Sequence, residues 1–320
     1  PYTYATGISD TIDGNFITGD MNGDGLFDVA VFDKENREWT VSLHHSDFPD
    51  LLVGIDNGIG GTTTIEYKDS VQYDNTGDDD LPDLPFAIRV VDKVTQSDGL
   101  GRTYTTRYFY ESGYFEPNKR EFRGFGHVST IDAEDSHKET YFYQDDIRKG
   151  RPQLEIVKDK YDRLYSTTAY KWYYAGTESD PTYRTAWDGK STFPTLEEKI
   201  TTVYDPQNES SYKSTKIAYD YDAYGNATTI REYGFDNTVL KKTVIDYAID
   251  YANPPPANWI ISKPKASAIY EGDGVKKVSE TRYYYDESTD LNATPTKGSL
   301  TKEEKWLKDT TQDTYIATTF

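Results

Sequence analysis

The stretch that decides the fold is Tyr219-Asp220-Tyr221-Asp222-Ala223-Tyr224-Gly225-Asn226-Ala227-Thr228-Thr229-Ile230-Arg231-Glu232-Tyr233-Gly234. Its two flanks, residues 218–221 and 228–233, are rich in aromatic and β-branched residues, which favour extended strands. Residues 222–226 between them are turn formers, and Gly225 and Asn226 tolerate a positive φ. The stretch therefore predicts a β-hairpin made of a strand, a turn and a second strand.

Shorter versions of this pattern recur along the chain, in the segments Tyr108-Phe109-Tyr110-Glu111, Tyr141-Phe142-Tyr143-Gln144-Asp145, Lys160-Tyr161-Asp162-Arg163-Leu164, Val203-Tyr204-Asp205 and Tyr283-Tyr284-Tyr285-Asp286. We interpret them as one degenerate repeat. In such a repeat, tyrosines stack on neighbouring strands and a carboxylate at each turn binds local amides. The alternative is a tyrosine-rich β-sandwich in which the Tyr-Asp pairs are accidental.

These Tyr-Asp pairs make the chain resemble the Rhs or YD-repeat family. The resemblance implies an all-β fold in which antiparallel hairpins form a shell. The composition agrees with half-buried sheets that have one wet face, because 29 tyrosines stand against 13 phenylalanines and one methionine.

The charge and the absence of cysteine exclude several classes of protein. The formal net charge of −20 repels nucleic-acid phosphates and anionic lipid, so we expect neither as a partner. No apolar run approaches the roughly 20 residues needed to cross a bilayer, and no signal peptide opens the chain. With no cysteine, the chain has no disulfide framework, no thiolate metal site and no cysteine nucleophile.

The two ends suggest a piece of a longer polypeptide. The chain of 320 residues starts at Pro1, its one methionine is Met21, and residues 315–320 have the pattern of an unfinished strand.

Residues 16–32 contain a candidate calcium loop. Asp20, Asn22, Asp24 and Asp28 stand at loop positions 1, 3, 5 and 9, and the carbonyl of Leu26 is available at position 7. Gly25 occupies position 6, where a sharp turn is needed. This spacing wraps oxygen ligands around a hard cation, and Ca²⁺ fits it. The alternative is a solvated acidic turn without metal.

An EF-hand is the wrong interpretation of this loop. Position 12 is Val31, where an EF-hand needs a bidentate Glu, and strand-like residues flank the loop. The loop resembles the calcium loop of an FG-GAP or VCBS propeller blade, with residues 39–43 as a later strand. The resemblance implies a terminal propeller blade over residues 1–50, in which calcium has a structural role.

Residues 51–146 carry three segments in a recognisable order, namely Leu84-Pro85-Phe86-Ala87-Ile88-Arg89-Val90-Val91, Asp98-Gly99-Leu100-Gly101 and Arg120-Glu121-Phe122-Arg123-Gly124-Phe125-Gly126-His127-Val128. Together they resemble the middle region of the B component of bacterial Tc insecticidal toxin complexes and of SpvB-type proteins. The glycines of residues 123–126 lack the G-x-G-x-x-G spacing, so we predict a close-packed strand junction there and not a phosphate loop. We interpret residues 78–80, three aspartates, as part of an exposed loop.

Residues 147–320 form the third predicted domain, a segment of Rhs-like shell. Residues 250–258, with three consecutive prolines, are expected to be a stiff connector within the shell. A helix is possible over residues 195–200, although a 3.6-residue periodicity is otherwise scarce.

We find no motif for catalysis. His44, His45, His127 and His137 lack the spacing of zinc ligands, and neither a G-x-S-x-G elbow nor a P-loop occurs. Among 55 carboxylates, spacing alone cannot single out a catalytic pair. We therefore predict a protein that is not an enzyme.

The resemblance to toxin B components implies a shell segment that encloses a toxic cargo domain. The expected partners are the remainder of the same polypeptide, other subunits of a toxin complex and a C-terminal toxin, and the expected location is secreted or at the bacterial cell surface. The alternative is a cell-surface or extracellular protein that uses the same shell for adhesion or carbohydrate binding. A hydrolase is the third possibility.

Overall fold

The computed structural model describes residues 16–44, 50–77, 81–173, 194–251, 259–272, 274, 276–307 and 313–320. His45, the three aspartates 78–80 and residues 252–258 of the predicted connector lie outside these ranges. The chain divides into two compact units, Pro1–Gln144 and Asp145–Phe320. The division into residues 1–50, 51–146 and 147–320 stays a prediction.

The regular secondary structure of the described residues is all strand, apart from one 3₁₀ turn at Ser70–Gln72. The first unit contains β1 (Phe16–Gly19), β2 (Asp28–Asp33), β3 (Glu38–Ser42), β4 (Gly54–Asp56), β5 (Thr62–Asp69), β6 (Arg89–Ser97), β7 (Thr103–Glu116), β8 (Glu121–Ile131) and β9 (His137–Phe142). The second contains β10 (Pro152–Lys158), β11 (Leu164–Tyr173), β12 (Thr195–Asp205), β13 (Asn208–Tyr221), β14 (Ala227–Tyr233), β15 (Val239–Tyr247), β16 (Pro264–Glu271), β17 (Lys276–Tyr285), β18 (Leu300–Leu307) and β19 (Thr314–Thr319). The all-β prediction is confirmed.

Strands β1, β2 and β3 form a separate antiparallel sheet in that order. The predicted strand at residues 39–43 is confirmed as β3. Ala30 on the central strand is 3% exposed, and the rings of Phe32 and Trp39 lie 5.2 Å apart. This sheet has three described strands. Its identity as a propeller blade stays a prediction.

The remainder of the first unit is an antiparallel meander in which each strand from β4 to β9 pairs with the next along the chain. Asn75 ties it together, because its buried side chain donates to the Ser70 carbonyl at 2.6 Å and accepts from the Gly113 amide at 2.9 Å. Residues 123–126 lie within β8, where Arg123 is buried and donates to the Gln144 carbonyl at 3.0 Å. The predicted strand is confirmed, and its packing is close at Gly126, where an added Cβ would lie 2.9 Å from Gln144 Oε1, but open at Gly124.

The second unit is a longer antiparallel meander, from β10 to β19. Each described strand pairs with the next along the chain, and four of these pairs, β10–β11, β12–β13, β14–β15 and β16–β17, share a feature described below. The hairpin predicted from residues 219–234 is confirmed as the turn between β13 and β14 with its two strands.

Two expectations about local structure are wrong. Residues 195–200 are not helical but begin β12, which pairs with β11 and β13 on its two sides and so gives Thr201, Thr202 and Val203 the extended backbone that β-branched residues favour. The segment 108–111 does not place its carboxylate at a turn, because Glu111 lies inside β7 and pairs with His127 of β8.

Few side chains are fully buried in either unit. The buried apolar residues among those described are Ala30, Leu84, Val90, Tyr173, Ala248, Tyr284 and Tyr285. Most strand residues are partly exposed, so the sheets have the half-buried surfaces expected from the composition.

Candidate metal centre and the carboxylates of the turns

The candidate calcium loop joins β1 to β2 and is organised by Asp20. One carboxylate oxygen of Asp20, Oδ1, accepts the amides of Gly23 at 2.7 Å and Asp24 at 3.0 Å. Its Oδ2 accepts the amide of Gly25 at 2.8 Å. The Asp20 carboxylate, at loop position 1, therefore binds three backbone amides of the loop and stabilises its turn.

Asn22 and Asp24 continue this local network. The Asn22 side-chain amide donates to Asp24 Oδ2 at 2.9 Å, and the Asp24 backbone amide donates to Asn22 Oδ1 at 3.0 Å. Asp24 Oδ1 accepts the amide of Leu26 at 2.8 Å. The structure therefore brings loop positions 1, 3 and 5 together.

Asp28 has a different environment, because it begins β2 and is fully buried. Its Oδ2 accepts the Met21 amide at 2.7 Å, and its Oδ1 accepts the His44 amide at 2.8 Å. This carboxylate links the loop to the residues that follow β3 and thereby holds the small sheet together.

The donor set suits a hard cation, since every predicted ligand is an oxygen. A carboxylate can accept about four hydrogen bonds, and Asp20 accepts three from these amides. Within the described ranges, however, no three His, Asp or Glu side chains already stand in the arrangement of a metal site. Ligation of Ca²⁺ by Asp20, Asn22, Asp24, Asp28 and the Leu26 carbonyl stays a prediction.

The described histidines make ordinary contacts. His127 pairs through Nδ1 with Glu111 Oε2 at 2.8 Å, and its ring stacks on Tyr141 at a centroid distance of 4.4 Å. His44 contributes its backbone amide to Asp28. His137 pairs with Ile131 between β9 and β8.

Carboxylates also organise the hairpin turns, as the sequence pattern predicted. Asp222 Oδ1 accepts the amides of Tyr224 and Asn226, each at 2.9 Å. The Asp222 amide donates to the Asn226 carbonyl at 3.0 Å, and Gly225 has a φ of 84°. One aspartate thus satisfies two amides of a five-residue turn.

Among the described residues the same turn occurs three more times with an aspartate as its anchor, in a form that the Tyr-Asp pattern does not reveal. The aspartates are Asp98, Asp132 and Asp159, and each accepts the amides two and four residues later. None of the three follows a tyrosine. At residues 159–163 the predicted Tyr161-Asp162 pair misplaces the anchor, since Asp162 is the residue with positive φ, at 62°. An aspartate followed three residues later by Gly or Asp would have been the better search pattern.

The second unit adds an aromatic clamp to four of its strand pairs, at the end away from the connecting turn. An aromatic residue near the end of the second strand donates a hydrogen bond to a main-chain carbonyl at the start of the first strand. The pairs are Trp172 with Pro152 at 2.8 Å, Tyr221 with Leu196 at 2.8 Å, Tyr247 with Ala227 at 3.1 Å and Tyr285 with Pro264 at 2.8 Å. From β10 to β17 the clamp recurs in every second strand pair, which is the behaviour of a structural repeat.

Burial changes the acidity of these tyrosines. It raises the pKa of Tyr285 to about 12 and also raises the pKa of Tyr247. Each hydroxyl therefore keeps its proton and remains a donor to its carbonyl through the neutral and mildly alkaline range.

The predicted stacking of tyrosines across strands is only part of the arrangement. Tyr204 and Tyr212 do pair across β12 and β13, with ring centroids 5.7 Å apart. Elsewhere a lysine stands directly opposite the tyrosine, in the pairs Tyr170–Lys199, Tyr233–Lys216 and Tyr284–Lys302, with the ammonium 5.7, 4.2 and 3.7 Å from the ring centre. A lysine covers a ring with its apolar stem and keeps its charge in water, which suits a half-buried sheet.

Comparison with known proteins agrees with this architecture. Residues 1–155 match the family model described as the insecticide toxin TcdB middle/N-terminal region. The chain resembles the TcdB toxin component. A search of the curated proteins gives no match for this TcdB-like chain.

Solved Tc toxin structures share the fold of the TcdB-like chain. In a crystal structure of TcdB2-TccC3 with Cdc42, the match has a TM-score of 0.63 and 13% identity, and it covers 93% of this chain and 20% of the other. A Photorhabdus luminescens Tc holotoxin pore carrying a TccC3 mutation gives a TM-score of 0.62 and 14% identity over 92% of this chain and 19% of the other. The chain thus spans about one fifth of the length of the chains that it matches.

Among the described residues, no helix is long and apolar enough to cross a membrane.

Proposed function

We propose that this chain is a non-catalytic segment of an Rhs-type β-shell that encloses a toxic cargo domain in a toxin complex. The observation that carries the proposal is the match of its antiparallel strand series to TcdB2-TccC3 over 93% of the chain. The clamped hairpins support it, because they hold a broad sheet in shape without a large apolar core.

The partners follow from the same proposal. They are the remainder of the same polypeptide, other subunits of a toxin complex and an encapsulated C-terminal toxin. The assembly acts outside the bacterium that makes it, as a secreted toxin. The net charge of −20 disfavours nucleic acid and anionic membrane surfaces as partners.

The cofactor in this proposal is a structural Ca²⁺ ion. The side chains of Asp20, Asn22, Asp24 and Asp28 and the carbonyl of Leu26 would hold it. The ion would neutralise carboxylates that the loop already gathers, and so would stabilise the connection between β1 and β2.

Protection of the cargo tests the shell function. The parent polypeptide is produced together with its candidate C-terminal toxin, and the toxin is exposed to protease as the free domain and in the assembly. Enclosure predicts that the toxin survives in the assembly under conditions that digest it when free. Equal digestion rates in the two samples would refute enclosure, and turnover of a peptide or glycan panel would refute the absence of catalysis.

Removal of Ca²⁺ with a chelator tests whether the loop binds the ion. A dissociation constant on the order of 10⁻⁴ to 10⁻³ M is typical of extracellular modules. At ten times that concentration, Ca²⁺ adds about 1.4 kcal/mol to the free energy of unfolding. A melting temperature that is the same in Ca²⁺ and in chelator, with Asp20→Asn as the non-binding control, would refute the calcium loop.

Adhesion or carbohydrate binding is the second candidate function. Several aromatic side chains near the turns of the second unit are well exposed, among them Tyr161 at 67% and Phe235 at 65%. Exposed aromatic faces are suited to stacking on sugars. Binding on a glycan array that is lost in Tyr161→Ala or Phe235→Ala would favour this function over cargo enclosure.

A further inference from the structure

Asp69 is a buried carboxylate whose hydrogen bonding is incomplete. It ends β5, stands opposite Arg89 at the start of β6, and its Oδ2 lies 2.9 Å from Arg89 Nη1. The Asp69 side chain is 8% exposed. Its Oδ1 is buried and accepts no hydrogen bond from any residue that the structure describes. A buried polar atom without a partner requires an explanation, such as an ion that completes the site.

The candidate calcium loop lies against this part of the same unit. A Cβ added to Gly23 would stand 2.7 Å from Cγ2 of Val71, two residues after Asp69. Arg89 Nη2 lies 3.5 Å from the Asp24 carbonyl while Nη1 binds Asp69. One guanidinium thus reaches both Asp69 and the loop.

The charges near Asp69 are unbalanced. Burial raises the pKa of Asp69, the positive charge of Arg89 opposes that effect, and the negative charges of Asp24 and Asp20 add to it. Asp69, Asp24 and Asp20 thus repel one another, and Arg89 contacts both Asp69 and the Asp24 carbonyl. A divalent cation would restore the balance.

We propose that Asp69 is the carboxylate ligand that reaches the calcium site from outside the loop, through its Oδ1. It takes the place of the acidic residue that an EF-hand has at loop position 12, where this chain has Val31. Arg89 then competes with the ion for Asp69. This inference rests on the proposed calcium binding and extends it to a residue of another sheet.

The competition gives the two partners opposite effects, which a purely structural ion pair would not. Asp69→Asn removes a charged ligand and weakens Ca²⁺ binding by about tenfold or more, the size of effect seen when groups around a metal are lost. Arg89→Gln removes the competing charge and tightens Ca²⁺ binding severalfold. A structural ion pair would lose stability in both variants and leave the affinity of neither increased.

Isothermal titration of the full chain with CaCl₂ makes the test. The matched control is Asp92→Asn, because Asp92 also lies on β6 and pairs across to β5, through Lys68 at 2.8 Å, and it should leave the affinity unchanged. Circular dichroism establishes that each variant is folded. If Asp69→Asn does not fold, Arg89→Gln decides: tighter binding supports the role of Asp69, and unchanged or weaker binding overturns it.

The outcomes separate this inference from the calcium loop itself. Equal binding by the wild type and a folded Asp69→Asn would overturn the role of Asp69 and leave the loop intact. No binding by the wild type would overturn the calcium loop and the role of Asp69 with it.

Discussion

The N-terminal sheet of β1–β3 and the hairpins of β10–β17 use aspartate in opposite ways. In the small sheet a carboxylate is inside, since Asp28 is fully buried and holds two amides from distant parts of the chain. In the hairpins, turn aspartates such as Asp222 accept the amides of their own turn, while tyrosine and tryptophan donors, most of them half-buried, close the other end of the strand pair. The first arrangement gathers negative charge that a cation can neutralise. In the second, backbone amides already bind the carboxylates, so no cation is needed.

The largest expected effect concerns an aromatic clamp. Tyr285→Ala should lower the free energy of unfolding by about 3–5 kcal/mol, because the ring is buried. Tyr285→Phe keeps the ring, loses the bond to the Pro264 carbonyl, and should cost about 1 kcal/mol. Urea unfolding measures both. The exposed Tyr165 is the control, and a Tyr165→Ala change as large as Tyr285→Ala would show that the hairpins do not depend on the clamps.

The second-largest effect should come from removal of the buried Asp28 carboxylate in the small sheet. Asp28→Ala leaves the amides of Met21 and His44 without an acceptor, which should cost about 1–3 kcal/mol of unfolding free energy in chelator. Hydrogen exchange of these two amides measures the effect locally. Asp33→Ala, at an exposed turn, is the control. If Asp28→Ala lowers the free energy of unfolding only when Ca²⁺ is present, Asp28 stabilises the sheet as a metal ligand. Its bonds to the two amides would then contribute little.

Substitutions at residues with positive φ test whether the hairpin turns are stabilised by their own backbone conformation. Gly225 has a φ of 84°, so Gly225→Ala should cost about 1–2 kcal/mol of unfolding free energy. Asp162 occupies the equivalent place in its own turn with a φ of 62°, so Asp162→Gly should change stability by less than about 1 kcal/mol. Thermal unfolding of the two variants compares them. A large loss from Asp162→Gly would mean that the two turns are not equivalent.

The smallest effect should be a pH dependence at the turn after β17. Four backbone amides, led by that of Lys297, donate to Asp286 and hold its pKa well below the usual 3.8. Because the pKa of Asp286 is lower in the folded state than in the unfolded state, the ionised carboxylate stabilises the turn fully at pH values above 3.8. This contribution is lost progressively as the pH falls from there toward the folded-state pKa. Hydrogen exchange of residues 296–299 between pH 5 and pH 2 should show local opening that is absent or pH-independent in Asp286→Asn. Exchange in the wild type that does not change over this range would contradict the assignment.

The local features were predictable because they depend on neighbours in sequence. The hairpin at residues 219–234 follows from aromatic and β-branched flanks around turn formers, and the loop fold at Asp20 follows from carboxylates and glycines a few residues apart. The error at residues 195–200 arose for the converse reason. A short segment without strong periodicity adopts the structure that its neighbours impose, and here β11 and β13 pair with it on both sides.

The sequence by itself determined an all-β chain, the hairpin at residues 219–234, the grouping of Asp20, Asn22 and Asp24, and the likeness to a toxin B component. Only the tertiary structure decided which residues face each other across strands. It placed Lys302 over Tyr284, closed four strand pairs with an aromatic donor, and set Asp69 and Arg89 against the candidate calcium loop. The physical reason is register, because a shift of one residue, or a bulge such as the one between Tyr284 and Tyr285, changes every cross-strand partner without changing the local pattern.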